Sequence, residues 1–138
     1  MNRSQQRETI FKLLYLSGFN DEEEIKGQME LFYEGQELVP AEKEKVYIET
    51  KYSGVREHIS EIDRMLNETS EGWKTSRMGK VDLAILRLAV YEMFFDEDVP
   101  VGVAINEAVE LGKRFGTDES SSFINGILGK LARKADAK

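Results

Sequence analysis

The chain has 138 residues, a length that suits one domain with its own core, and no cysteine, which excludes disulfides and thiolate metal sites and makes a reducing, cytoplasmic setting the default. The net charge is −7, yet ten acids against three lysines between Asn20 and Glu49 account for all of it, and the remainder is neutral. A polyanion is steered by the local field, which decays over roughly 8–10 Å at physiological salt, so this acidity does not exclude nucleic acid. The first dozen residues are locally positive (Arg3, Arg7 and Lys12 against Glu8), as is the tail (Lys130, Arg133, Lys134 and Lys138 against Asp136). The amino terminus lacks an apolar signal core, and the longest apolar window, 81–95, is broken by Asp82, Arg87 and Glu92, so no membrane association is expected.

Helical periodicity runs through the chain and strand alternation is nearly absent. Ile10, Leu13, Leu14 and Ser17 line a first helix expected to end at Gly18 in a left-handed cap. Asn20 or Asp21 caps a second, whose acidic first turn suits the helix dipole and whose apolar positions are Ile25, Met29, Phe32 and Tyr33. Val39-Pro40 marks the next start. From there Ile48, Tyr52, Val55, Ile59, Ile62 and Leu66 form the cleanest amphipathic stripe, with Ser53-Gly54 as the expected point of bending or breakage. A connection containing Trp73 leads to 81–95, apolar on nearly every side and therefore expected inside the fold. Its charges need partners, because an unpaired buried charge is expensive. Arg87 and Glu92 are expected to pair internally, with Glu107, Glu110 or Arg77 as candidates. Pro100 opens a helix carrying Ala104, Ala108, Leu111 and Phe115 and closed by Gly116; Thr117 or Asp118 starts the last, with Phe123, Ile127, Leu128 and Leu131. The reading is all-α, a helical bundle of about six to seven helices.

Catalytic chemistry finds no foothold. His58 is the only histidine, and Arg56, Glu57 and Glu61 around it suggest a solvated face. There is no Cys-His pair, no zinc-ligand spacing and no glycine-rich phosphate loop, so neither catalytic residues, metal nor cofactor are expected. Asn106 and Asn125 lie in helical patterns and read as buried side chains bonded to backbone.

One set of motifs carries a resemblance. Trp73…Arg77…Val81-Asp82-x-Ala84-Ile85-Leu86-Arg87-x-Ala89-x-Tyr91-Glu92-Met93, then Val99-Pro100, Val103-Ala104-Ile105-Asn106-Glu107-Ala108-Val109-Glu110-Leu111-x-Lys113-x-Phe115-Gly116 and Phe123-Ile124-Asn125-Gly126-Ile127-Leu128 resemble the NusB family of bacterial transcription antitermination factors. A weaker match at Arg7-Glu8 and Leu14-Tyr15 extends it nearly end to end. The resemblance implies two helical subdomains, 1–70 and 71–138. It implies binding of boxA-type single-stranded RNA together with NusE, a small-subunit ribosomal protein, and through them other Nus factors and RNA polymerase, notably on ribosomal RNA operons. A homodimer is a further assembly state, for which Phe94-Phe95 or the 25–33 helix would supply the apolar patch.

Carried across residue by residue, the family's arginine-rich amino-terminal motif matches Arg3 and Arg7, with Ser4 and Gln5 where arginines are common and Lys12 further along. Arginine grips phosphate bidentately, so this depleted motif implies weak RNA binding alone and dependence on NusE. Lys113, Phe115 and Phe123 resemble the family's positions near RNA. Stacking on unpaired bases contributes about 1–3 kcal/mol per base. Phe115 and Phe123 also lie on the apolar stripes of their helices, and core and stacking readings stand level. Asp82 is the candidate for a charged NusE contact. The alternatives are a NusB-fold protein-interaction adaptor with little intrinsic RNA binding, and the NusB-like domain attached to ribosomal RNA methyltransferases. The end of the chain at Lys138 without a cofactor-binding domain argues against the latter.

Overall fold

A computed structural model describes residues 1–136; Lys138 of the basic tail lies outside the described residues. These residues form seven α-helices and a short 3₁₀ turn, with no strand among them. They divide into two compact units, Met1–Gly54 and Val55 onward, with the division inside the third helix. The expected boundary at 70/71 thus falls within the second unit.

The first unit holds α1 (Arg3–Ser17), α2 (Glu22–Glu34) and most of α3 (Glu42–Glu57). Asn2 caps α1 by accepting from the Gln5 amide while the Gln5 side chain accepts from the Asn2 amide, so two N–H groups left open by the helix start are satisfied reciprocally. Asp21, not Asn20, caps α2, accepting from the Glu24 amide at 2.8 Å. Gly18 ends α1 at φ −73°, ψ −14°, so the expected left-handed cap is absent; the glycine with positive φ is Gly72 (φ 79°) in the later connection. The α1 stripe (Ile10, Phe11, Leu13, Leu14) is buried, and Tyr33 ties α2 to α3 by donating its hydroxyl to Glu49 at 3.0 Å. Burial, then that bond to a carboxylate, pushes the Tyr33 phenol well above the ordinary tyrosine range.

The second unit contains α4 (Ile59–Thr69), the turn Thr75–Arg77, α5 (Lys80–Phe94), α6 (Val101–Phe115) and α7 (Ser120–Asp136). The long stripe is buried at Ile48, Tyr52, Val55, Ile62 and Leu66, but it breaks at His58 rather than at Ser53-Gly54. Gly54 stays helical. At His58 the amide donates to Val55 O, an i→i−3 bond that tightens the end of α3, and the backbone leaves helical values (φ −104°, ψ 12°). The imidazole lies 4.4 Å from the Phe95 ring and 5.9 Å from Tyr91, centroid to centroid. His58 is therefore a half-buried aromatic contact, not the expected solvated side chain.

Helix α5 is central, packing against α4, α6 and α7, and it buries Leu83, Ala84, Ile85, Leu86, Leu88, Ala89, Val90 and Glu92. Helices α6 and α7 approach closely because Gly112 has no side chain: a Cβ there would lie 2.9 Å from Ile124 Cδ1. At the turn between them Ser120 accepts from the Thr117 amide at 2.9 Å, and the regular helix α7 begins at Ser120, two to three residues after the expected Thr117 or Asp118. A Cβ on Gly116 would fall against the Ser120 side chain and 2.8 Å from the Gly112 carbonyl oxygen. Gly116→Ala is accordingly expected to destabilise by about 1–2 kcal/mol, through overpacking that the backbone cannot relieve. A lowered urea midpoint at constant m-value checks this.

Candidate nucleic-acid interface

In the first unit the amino-terminal arm divides by environment. Arg3 and Ser4 are exposed on the first turn of α1. No acid occupies that turn, and a cation there is disfavoured by the helix dipole, so the charge needs another support. Arg3 has two: its Nη1 donates to Gln6 Oε1 at 2.8 Å, and its Cζ lies 3.7 Å from the centroid of the Tyr47 ring. Arg7 is buried at 6% exposure, and Lys12 is half-buried, donating to Gln36 Oε1 at 3.2 Å and pairing with Glu8 at 3.1 Å. Gln5 serves the helix cap. The terminal ammonium of Met1 meets Glu44 at 2.7 Å, and that bond holds the Glu44 carboxyl below its usual range. This support acts above the ordinary glutamate range and is lost as pH falls through the lowered one.

In the second unit, Phe115 and Phe123 are both half-buried, between the core and stacking readings. Lys113 is exposed and pairs with Glu110 at 3.3 Å, while the Arg114 guanidinium lies 4.9 Å from the Phe115 ring. Beside Phe123 stands a residue the sequence reading did not place in the site. Trp73 is 56% exposed and meets the Phe123 ring edge-on at 6.1 Å. Its backbone is pinned: the amide donates to Ser70 O at 2.8 Å, the carbonyl accepts from the Ser70 hydroxyl, and Asn67 takes the Thr75 amide at 2.8 Å. The sequence signal that pointed toward it is the single tryptophan with Lys74 and Arg77 close by.

The charges of α5 separate. Asp82 is half-buried in the first turn, where a carboxylate favours the helix dipole whether or not a partner protein uses it. Arg87 is held by Asp63 of α4, with Nε–Oδ1 at 2.9 Å and Nη2–Oδ2 at 2.7 Å, a bidentate pair that replaces the expected Glu107, Glu110 or Arg77. Glu92 is buried at 1% exposure. Asn106 and Asn125, expected inside, are both exposed. No helix of the described residues is long and apolar enough to cross a membrane, and no group of three or more metal-ligating His, Cys, Asp or Glu side chains occurs among them.

Comparison with known proteins gives matches over nearly the whole chain. The NusB family model covers residues 4–133. The transcription antitermination protein NusB of Agathobacter rectalis is 52% identical over 96% of this chain and all of its own length. NusB from T. maritima superposes with a TM-score of 0.85 at 34% identity, covering 97% of this chain and 92% of that one. A chain in the crystal structure of antitermination factors NusB and NusE in complex with dsRNA shares the fold, with a TM-score of 0.81 at 24% identity over 97% of this chain and 99% of that one. With its central α5, its seven helices and a match of this extent, the chain belongs to the NusB family of transcription antitermination proteins.

Proposed function

We propose that the protein binds boxA-type single-stranded RNA in the cytoplasm as a pair with NusE, and that the pair joins other Nus factors on RNA polymerase, notably on ribosomal RNA operons. The observation that carries the reading is the pinned, exposed Trp73 set against Phe123. Solvent-facing aromatics on rigid supports are how proteins stack unpaired bases, and each such contact contributes about 1–3 kcal/mol. In the second unit Lys113 and Phe115 would add phosphate and base contacts; in the first, Arg3, Ser4 and Lys12 would contact phosphate, with Arg7 beneath the surface. A solved structure that shares the fold holds NusB and NusE with dsRNA, which motivates NusE and RNA as partner classes, while the single-stranded preference rests on the exposed aromatics. The burial of Arg7 and the use of Gln5 as a cap favour a second reading, an adaptor with little RNA affinity of its own.

Asp82 is the proposed NusE contact. Asp82→Lys is expected to weaken capture of NusE while leaving helicity unchanged; undiminished capture would remove Asp82 from that surface. For RNA, Trp73→Ala is expected to weaken binding by the chain–NusE pair about tenfold, the loss of one stacked base. Unchanged affinity would return Trp73 and Phe123 to a structural role.

A further inference from the structure

Within the first unit, Tyr47 and Lys51 of α3 and Arg3 and Gln6 of α1 form one connected cluster. Lys51, only 5% exposed, donates from Nζ to the Tyr47 hydroxyl at 2.7 Å and lies 4.8 Å from the ring centroid. Arg3 covers the ring with its guanidinium carbon at 3.7 Å. Gln6, 6% exposed, accepts from Arg3 Nη1 and in turn donates to Met1 O at 3.1 Å. The parts form an order of support: a buried ammonium fixes a phenol, the phenol fixes a guanidinium plane, and a buried amide fixes the edge of that plane.

Arginine has five N–H donors in a planar fork, of which Gln6 takes one. A guanidinium that already rests on an aromatic ring has lost its rotamer freedom before any ligand arrives, which lowers the entropic penalty of binding. A plane held in this way can take a base by stacking and a phosphate on its N–H edge at once. We infer that Arg3 is a preorganised contact for one unpaired RNA nucleotide and that Tyr47, secured by Lys51, is its positioning residue. The inference rests on the RNA-binding reading above and adds to it. Neither Tyr47 nor Lys51 belongs to the terminal motif that pointed to Arg3.

The test is a salt titration of a labelled boxA-type single-stranded RNA with the chain–NusE pair. It uses wild type, Arg3→Ala, Arg3→Lys, Tyr47→Leu, Tyr47→Phe and the Arg3→Ala/Tyr47→Leu double variant. Arg3→Ala is expected to weaken binding about tenfold and to reduce the slope of log K against log salt by about 0.7, one phosphate contact. Tyr47→Leu is expected to weaken binding about fivefold with the slope kept, because the charge remains while its platform is gone. Tyr47→Phe, which keeps the ring and loses the tie to Lys51, should fall between wild type and Tyr47→Leu, about two- to threefold weaker than wild type. Arg3→Lys should keep the slope and lose most of the affinity, since an ammonium offers no plane. The double variant should bind no more weakly than Arg3→Ala, the coupling that a merely structural tyrosine would not produce. Multiplicative losses in the double variant, wild-type binding by Tyr47→Leu, or wild-type binding by Arg3→Ala would each overturn the inference while leaving the functional reading intact. Absence of RNA binding by the wild-type pair would overturn both.

Discussion

Leu86→Ala is expected to lower the unfolding free energy by about 2–5 kcal/mol, the usual range for deleting a buried leucine side chain and leaving a cavity. Leu86 has no exposed surface, and it lies on a helix that is itself enclosed by α4, α6 and α7. A position surrounded by three helices has little room to collapse around the lost atoms, which places the expectation in the upper part of that range. For a chain of this size each kcal/mol moves Tm by about 3–5 °C, so thermal unfolding followed by circular dichroism reads the effect directly. A shift under a few degrees would mean that α5 is not the centre of the core.

The second large effect concerns the Arg87–Asp63 pair. Both side chains are about one-fifth exposed and share two short bonds, the arrangement in which an ion pair exceeds the small contribution of a surface one. Asp63→Ala is expected to cost about 2–3 kcal/mol, because it removes both bonds from a guanidinium that is about four-fifths buried. Arg87→Met should cost about 1–2 kcal/mol: methionine fills part of the volume, and Asp63 on α4 can turn toward water. The double variant should be more stable than Asp63→Ala alone, since it leaves no unpaired charge. Urea unfolding of the three variants gives the coupling; additive losses would show that the two groups act independently.

The parts of the structure legible in the sequence are those governed by periodicity within one helix. The stripe from Ile48 to Leu66, the burial of 83–86 and 88–90, Pro100 before α6 and Gly116 after it all follow from local spacing, and the structure has them. What escaped depends on contacts between distant residues. The break at His58 coincides with aromatic rings 33 and 37 positions away at Tyr91 and Phe95, which no local pattern announces. Asp63 lies 24 residues before Arg87, on the flank of a stripe, where any of several acids would have served. Asn106 and Asn125 show that a polar residue in an apolar helix need not face inward, since the outer side of the same helix is equally available.

The candidate site was legible only as residue types. Arg3 and Arg7 look alike as letters, yet one is exposed over an aromatic ring and the other is buried. Gln5 looks like a lost arginine and proves to be half of a capping box. Trp73 belongs to the family pattern, but its exposure and its contact with Phe123 come from a loop fixed by Ser70, Gly72 and Asn67.

The most direct test of the functional account is a mobility shift of boxA-type RNA with this chain, with NusE, and with the two together, each against a scrambled RNA competitor at physiological salt. Weak binding by the chain alone and tight, sequence-selective binding by the pair are expected. Equal competition by scrambled RNA, or no gain on adding NusE, would contradict the proposed function.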